Sequence, residues 1–216
     1  SEVHVHNMGL QSEEREAKIE ADAAAARKPL GVVAVAPGAG NAKILESLGV
    51  DKVVSGGQTM NPSTADLLEA VKGVNADAVI ILPNNKNIIM AAQACCDVSE
   101  KPCGLVPTTS VPQAFSAMFG FDADAALEDN LSAMADACAE TKTGEVTHAI
   151  KDGDVIGIAD GSIESVGTDV SDVVLALFKV MDADEADTAT VLAGEDFADD
   201  ALGALVERIE EAYPEL

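Results

Sequence analysis

Ala78-Val79-Ile80-Ile81-Leu82-Pro83-Asn84-Asn85-Lys86-Asn87 carries five apolar residues into a proline and then into a cluster of amides. The five do not alternate with polar residues, so they predict a strand buried on both faces, as in a parallel sheet covered by helices. Proline ends the strand, and the residues after Asn87 read as a helix to about Val98. Working outward, Gly31–Ala36, Val50–Val54 and Gly104–Val106 are three further apolar runs of strand type. The first breaks at Pro37-Gly38-Ala39-Gly40-Asn41, and Ala42–Leu48 reads as a helix stopped by Gly49. Ser63 is an N-cap residue for a helix to about Val74, with Asp66 in its first turn. Strand, loop and helix in repetition argue for right-handed βαβ units: an α/β fold with a mainly parallel sheet and helices on both faces.

Beyond residue 110 the pattern changes. Val111–Phe119 and Asp124–Thr141 read as helices. Thr143–Ile150, Asp154–Ala159 and Ser162–Val166 read as strands joined at Asp152-Gly153 and Asp160-Gly161, which are hairpin signals. This predicts an antiparallel hairpin extension. Asp169–Met181 reads as a helix, Thr188–Leu192 as a strand and Phe197–Ala212 as an amphipathic helix. Residues 1–28 read as a lead-in strand (Val3–His6) and a polar connecting helix (Ser12–Arg27). Residues 29–216 read as one α/β domain, with a parallel core over 29–110 and a helical and hairpin second half over 111–216.

Composition narrows the partners. In 216 residues, 13 Lys and Arg face 38 Asp and Glu, a formal net charge of −25. Nucleic acid requires cationic contacts that displace counterions, so it is excluded, and an anionic membrane surface should be repelled. The acidity serves solubility or steers the chain toward a basic partner. No apolar run reaches the ~18 residues needed to cross a bilayer and no signal peptide is read, so a cytoplasmic protein is expected. With five Phe, one Tyr and no Trp, the core must rest on Ala, Val, Ile and Leu. Cys95 and Cys96 are adjacent, Cys103 and Cys138 follow at irregular spacing, and no Cys-x-x-Cys occurs. They read as small buried residues in a reducing compartment, with no zinc site.

Ligands of open parallel sheets bind outside the carboxyl ends of the strands. Three polar loops fall there: Ser55, Gly56, Gly57, Gln58, Thr59, Asn61 and Ser63; then Asn84, Asn85, Lys86 and Asn87; then Thr108 and Thr109 with Ser110. Hydroxyls, amides and helix N-termini at one edge suit a carboxylate or a phosphate. The same residues also serve as ordinary caps and turns, and Gly56-Gly57 as a tight turn. There is no Walker loop and no Gly-x-Gly-x-x-Gly after a strand. His4-x-His6 could place two imidazoles on one strand face, but no third metal ligand is near; His148 reads as structural. Asp154–Gly161 lacks the alternating oxygens and terminal Glu of a calcium loop. No histidine lies near Ser55, Ser63 or the cysteines to activate a nucleophile, so no catalytic residues are assigned.

Two motifs are more specific. Ser55-Gly56-Gly57-Gln58-Thr59-Met60-Asn61-Pro62-Ser63-Thr64, with Val79-Ile80-Ile81-Leu82-Pro83-Asn84-Asn85-Lys86-Asn87-Ile88, resembles the signature of the catalytic subunits of fatty acid kinases, which form a dihydroxyacetone-kinase-like family. Val106-Pro107-Thr108, Val111-Pro112-Gln113, Asp154-Val155-Ile156-Gly157, Asp160-Gly161 and Gly194-Glu195-Asp196 are similar too, so the resemblance covers about residues 29–214.

The resemblance implies the C-terminal region of such a fatty acid kinase catalytic subunit, with the fold shared by DegV-type proteins and dihydroxyacetone-binding kinase subunits. It implies a partner, the DegV-type protein that carries a fatty acid. It implies an N-terminal kinase domain, outside this chain, that binds ATP and magnesium and phosphorylates the fatty acid held by the partner. On that reading the chain starts after the kinase domain and most of a middle domain, and stops before a further strand. It needs no cofactor and would not be active alone. His4 and His6 align with the segment after the middle domain, so neither is carried over as a metal ligand. The second loop departs from the DegV pattern in lacking the Ser-Gly-Thr run that would hold a carboxylate. Two other readings stay open: a dihydroxyacetone-kinase-like pocket for a ketone or anion, and a domain that senses a fatty acid itself. A homodimer also stays open.

Overall fold

The structure is a computed structural model that describes residues 27–56, 61–148 and 153–216. The expected lead-in strand with His4 and His6, nearly all of the connecting helix, and the loop residues Gly57, Gln58 and Thr59 lie outside the described residues. Packing divides the chain after Glu140 into two compact units.

In the first unit four strands form a parallel sheet: β1 (Lys28–Ala36), β2 (Lys52–Ser55), β3 (Ala76–Leu82) and β4 (Cys103–Leu105), in the order β2-β1-β3-β4. The apolar run 78–82 is in β3, an inner strand, where Val33 pairs with Ile81 and Ala34 with Leu82. Side chains alternate across a strand, so an uninterrupted apolar run feeds two cores at once. On one face Val32, Ala34, Ala36, Ile80 and Leu82 are buried against α1 (Ala39–Ser47), α4 (Val111–Phe119) and α5 (Leu127–Ala139), which contribute Leu45, Phe115, Met118 and Met134. On the other, Val33, Val35, Val79 and Ile81 are buried against α2 (Thr64–Gly73) and α3 (Ile89–Val98), which contribute Leu67, Ala70, Val71, Ala92 and Cys95. Each fully buried aliphatic side chain contributes about 1.5–3 kcal/mol relative to exposure. The α/β class with helices on both sheet faces is therefore observed.

Two boundaries differ from expectation for identifiable reasons. α1 starts at Ala39 rather than Ala42. Gly38 takes φ 73° as the N-cap, so the expected breaker is the entry to the helix, and Asn41 Nδ2 donates to the Pro37 carbonyl at 3.0 Å. The helices after residue 110 pack on the parallel sheet, so the packing boundary lies after Glu140. α5 approaches β4 closely: a Cβ on Gly104 would lie 2.7 Å from the Leu131 methyl carbons.

The second unit is an antiparallel sheet of β5 (Gly144–His148), β6 (Val155–Ala159) and β7 (Ser162–Gly167), in that order, followed by α6 (Val170–Val180), a short 3-10 turn (Ala183–Glu185) and α7 (Asp199–Ala212). Asp160 and Gly161 turn the β6–β7 hairpin with φ 48° and 86°, the left-handed pair that a two-residue hairpin requires. Val155, Gly157 and Ala159 face inward. Gly157 lets α6 lie close, since a Cβ there would meet Val173 Cγ1 at 2.8 Å and Leu177 Cγ at 2.9 Å. Behind α6, Phe178, Ala183, Leu205 and Ile209 form a third cluster, with the Phe178 and Tyr213 rings 5.6 Å apart.

Thr188–Leu192 is not a strand. Val191 packs into that cluster, Leu192 stays 42% exposed, and no described strand pairs with the segment. α7 begins at Asp199, two residues after the expected start at Phe197, whose ring joins the same cluster.

Candidate functional site: the polar edge of the parallel sheet

The described residues of the three loops all follow the carboxyl ends of β2, β3 and β4. Ser55 ends β2 opposite Ala36 and is exposed; the Gly56 amide donates to the Ala36 carbonyl at 3.3 Å. Asn61 is exposed and Pro62 buried. Ser63 caps α2 in a reciprocal box. Its Oγ accepts from the Asp66 amide at 3.3 Å, its own amide donates to Asp66 Oδ2 at 2.8 Å, and its hydroxyl donates to the same oxygen at 2.7 Å. The Ser63 hydroxyl, then the Ser63 amide, hold the Asp66 carboxyl below its ordinary range by bonding to the charged form.

The second and third loops are joined by one buried amide. Asn84 adopts φ 56° and is 8% exposed; asparagine is among the few non-glycine residues that accept this conformation. Its Nδ2 donates to the Val35 carbonyl at 2.8 Å, reaching across to β1. Its Oδ1 accepts from the Thr108 hydroxyl at 2.6 Å, and its amide donates to Thr108 Oγ1 at 3.1 Å. Thr108 is 1% exposed. These two side chains therefore tie the ends of β1, β3 and β4 together and satisfy each other inside the fold.

The remaining polar groups stand further out. The Asn85 side-chain oxygen accepts from the Asn87 amide at 2.9 Å, and its carbonyl from the Ile88 amide at 3.0 Å, which makes the turn into α3. Lys86 and Asn87 are exposed. Thr109 donates twice to Gln113 Oε1, from its amide at 2.7 Å and its hydroxyl at 3.0 Å, while Ser110 caps α4 through the Gln113 amide at 3.3 Å. The edge thus presents Asn61, Lys86 and Asn87 outward on a frame fixed by Ser63, Asn84 and Thr108.

Three structural contacts carry no local sequence signal. Lys101 Nζ donates to the carbonyls of Val71, Lys72 and Val74 at 3.3, 3.3 and 2.5 Å, closing the C-terminus of α2 from about thirty residues away. Asp51 accepts from the Val32 amide at 2.9 Å and pairs with Lys28 at 2.5 Å. Cys96 and Cys103 meet sulfur to sulfur at 2.7 Å.

The second unit has a groove of about 470 Å³ lined by His148, Val155, Asp169, Ser171, Phe197 and Ala204, among others. Asp169 is already engaged: its carboxylate caps α6 through the Asp172 amide at 3.0 Å, and Arg208 reaches Asp169 at 3.5 Å and Asp172 at 2.7 Å. Its bond to Asp172, then the charges of Asp172 and Asp169, raise the Arg208 guanidinium further above its usual range. His148 is exposed at the end of β5. Among the described residues no three His, Cys, Asp or Glu side chains are gathered for a metal ion, and no helix is long and apolar enough to cross a membrane.

A four-stranded parallel sheet with a polar carboxyl edge, followed by a three-stranded meander, defines an α/β module. The chain belongs to the FakA-like C-terminal family of fatty acid kinases, whose match covers residues 31–216. It is 38% identical over 201 residues to protein YloV of Bacillus subtilis (strain 168), covering 88% of this chain and 36% of that protein. It is 34% identical over 195 residues to an uncharacterised protein of Staphylococcus aureus (strain MRSA252) and 35% identical over 195 residues to one of Staphylococcus haemolyticus. Each match covers 86% of this chain, and 36% and 35% of those proteins respectively. The chain therefore spans about a third of the length of the curated relatives it matches.

Proposed function

We propose that this chain is the docking region of a fatty acid kinase catalytic subunit. It binds a DegV-type protein loaded with a fatty acid and presents the acyl carboxylate to a separate N-terminal kinase domain. ATP and magnesium belong to that domain, and the transfer takes place in the cytoplasm. The observation that carries the reading is the family match over residues 31–216. The polar edge supports it from a second side. Asn84 and Thr108, the buried polar residues there, spend their hydrogen bonds on each other and on β1, which leaves exposed amides and one lysine suited to a surface contact. A ketone or anion pocket at this edge would need inward-facing donors with capacity to spare, so that alternative has less support.

Calorimetric titration of the chain with a purified DegV-type protein loaded with oleate tests the proposal. Binding at micromolar strength or tighter is expected. No heat with this chain, alongside binding by a full-length relative, would place docking elsewhere and overturn the reading.

A further inference from the structure

The four cysteines fall into two kinds. Cys95 is fully buried in the second-face core, and burial, then the neighbouring Cys96, pushes its thiol up to about 11. Cys138 is 8% exposed, donates to the Gln113 carbonyl at 3.3 Å, and is likewise pushed up to about 11 by burial. Both are poor nucleophiles at neutral pH. Cys96 and Cys103 differ. Cys96 sits near the end of α3 and Cys103, seven residues on, opens β4, which lies at the edge of the sheet with only β3 beside it. The chain folds back between them so that the two Sγ atoms are 2.7 Å apart, and both residues are only part-buried. The Cys103 thiol donates to Cys96, which holds Cys96 below the ordinary thiol range, and the same bond raises Cys103. One sulfur is thus disposed to ionise while its neighbour keeps its proton, the arrangement of an attacking and a resolving thiol.

We propose that Cys96 and Cys103 are an oxidation site at which a hydroperoxide produces a reversible disulfide, leaving Cys95 and Cys138 as thiols. The Cys96 thiolate attacks the outer peroxide oxygen. An S–O bond forms, the O–O bond breaks, and the departing alkoxide or hydroxide takes up the proton released by Cys96. The Cys103 sulfur then attacks the sulfenic sulfur. The S–S bond forms, the S–O bond breaks, and the hydroxyl leaves as water with the Cys103 proton. Two thiols and one hydroperoxide give one disulfide, one alcohol (or water) and one water; the two sulfurs are oxidised and the two peroxide oxygens reduced. The link would fasten the end of α3 to an edge strand, at the end of the sheet opposite the polar loops.

The test is to treat the full chain with hydrogen peroxide at neutral pH, alkylate it, digest it without reduction, and locate the linked peptides by mass spectrometry, with fragmentation between Cys95 and Cys96. A Cys96–Cys103 link, about two mass units lighter than the two thiols, should dominate and disappear with dithiothreitol, while Cys95 and Cys138 are alkylated. In Cys103→Ser, the Cys96 sulfenic acid should persist long enough to be trapped by dimedone, and in Cys96→Ser no link should form. The wild-type readout stands even if a variant folds poorly. A dominant link through Cys95 or Cys138, or four alkylated thiols after treatment, would overturn the proposal.

Discussion

The two units place similar apolar residues in opposite circumstances. In β3, Val79, Ile80, Ile81 and Leu82 are all fully buried, because helices cover both faces of the parallel sheet. In β7, Ile163 and Val166 are 63% and 62% exposed, because α6 lies against Gly157 on the inward face of the three-stranded sheet. A β-branched residue is worth what its neighbours exclude from water, so the same side-chain chemistry supports the fold in one unit and is nearly free of it in the other.

That contrast can be tested by truncation, starting with the largest effect. Ile80→Ala opens a cavity between β3 and the helices behind it, and should lower the unfolding free energy by about 2–5 kcal/mol in a urea titration. Asn84→Ala removes the bonds to Val35 and Thr108 and forces an alanine into a left-handed backbone conformation. It should cost about 1–3 kcal/mol by the same titration, with Thr108 left unpaired. Gly157→Ala brings a methyl against Val173 and Leu177 and should destabilise the second unit by about 1–3 kcal/mol, read from near-ultraviolet and tryptic-protection changes confined to residues after 140.

Ser63→Ala should cost about 1 kcal/mol through loss of the α2 cap. The cap also carries a pH signature. The folded Asp66 carboxyl lies below 3.8, so its contribution is complete above that value and is lost as the pH falls through the folded value. A carbon-detected titration of Asp66 should show the depression in the wild type and its relief in Ser63→Ala. Smallest of all, Ile163→Ala should stay within about 0.5 kcal/mol. A loss there as large as that at Ile80 would end the comparison.

The sequence was most informative where structure is dictated locally. The run 78–82 is apolar at every position, which only a doubly covered strand accommodates, and the Asp160-Gly161 pair carries its own turn geometry. The Ser63–Asp66 box was visible as residue types at the right spacing. What could not be read was pairing at a distance. Asn84 and Thr108 look like two loop residues until the fold brings them within 2.6 Å across 24 positions, and Lys101 reaches carbonyls 27 or more residues away. Amphipathic helices announce a buried stripe but not which sheet receives it, so α4 and α5 could not be assigned to the parallel core in advance. Thr188–Leu192 has the composition of a strand, but composition does not supply a neighbouring edge.

The docking proposal predicts that the chain, without a kinase domain, competes with a complete catalytic subunit for its loaded partner. The direct measurement is acyl phosphate formation by a full-length relative, its DegV-type partner loaded with oleate, ATP and magnesium, with this chain added in increasing amounts. The account predicts inhibition that deepens with added chain and is relieved by excess partner while ATP has no such effect. Undiminished turnover at chain concentrations far above that of the full-length enzyme would contradict it.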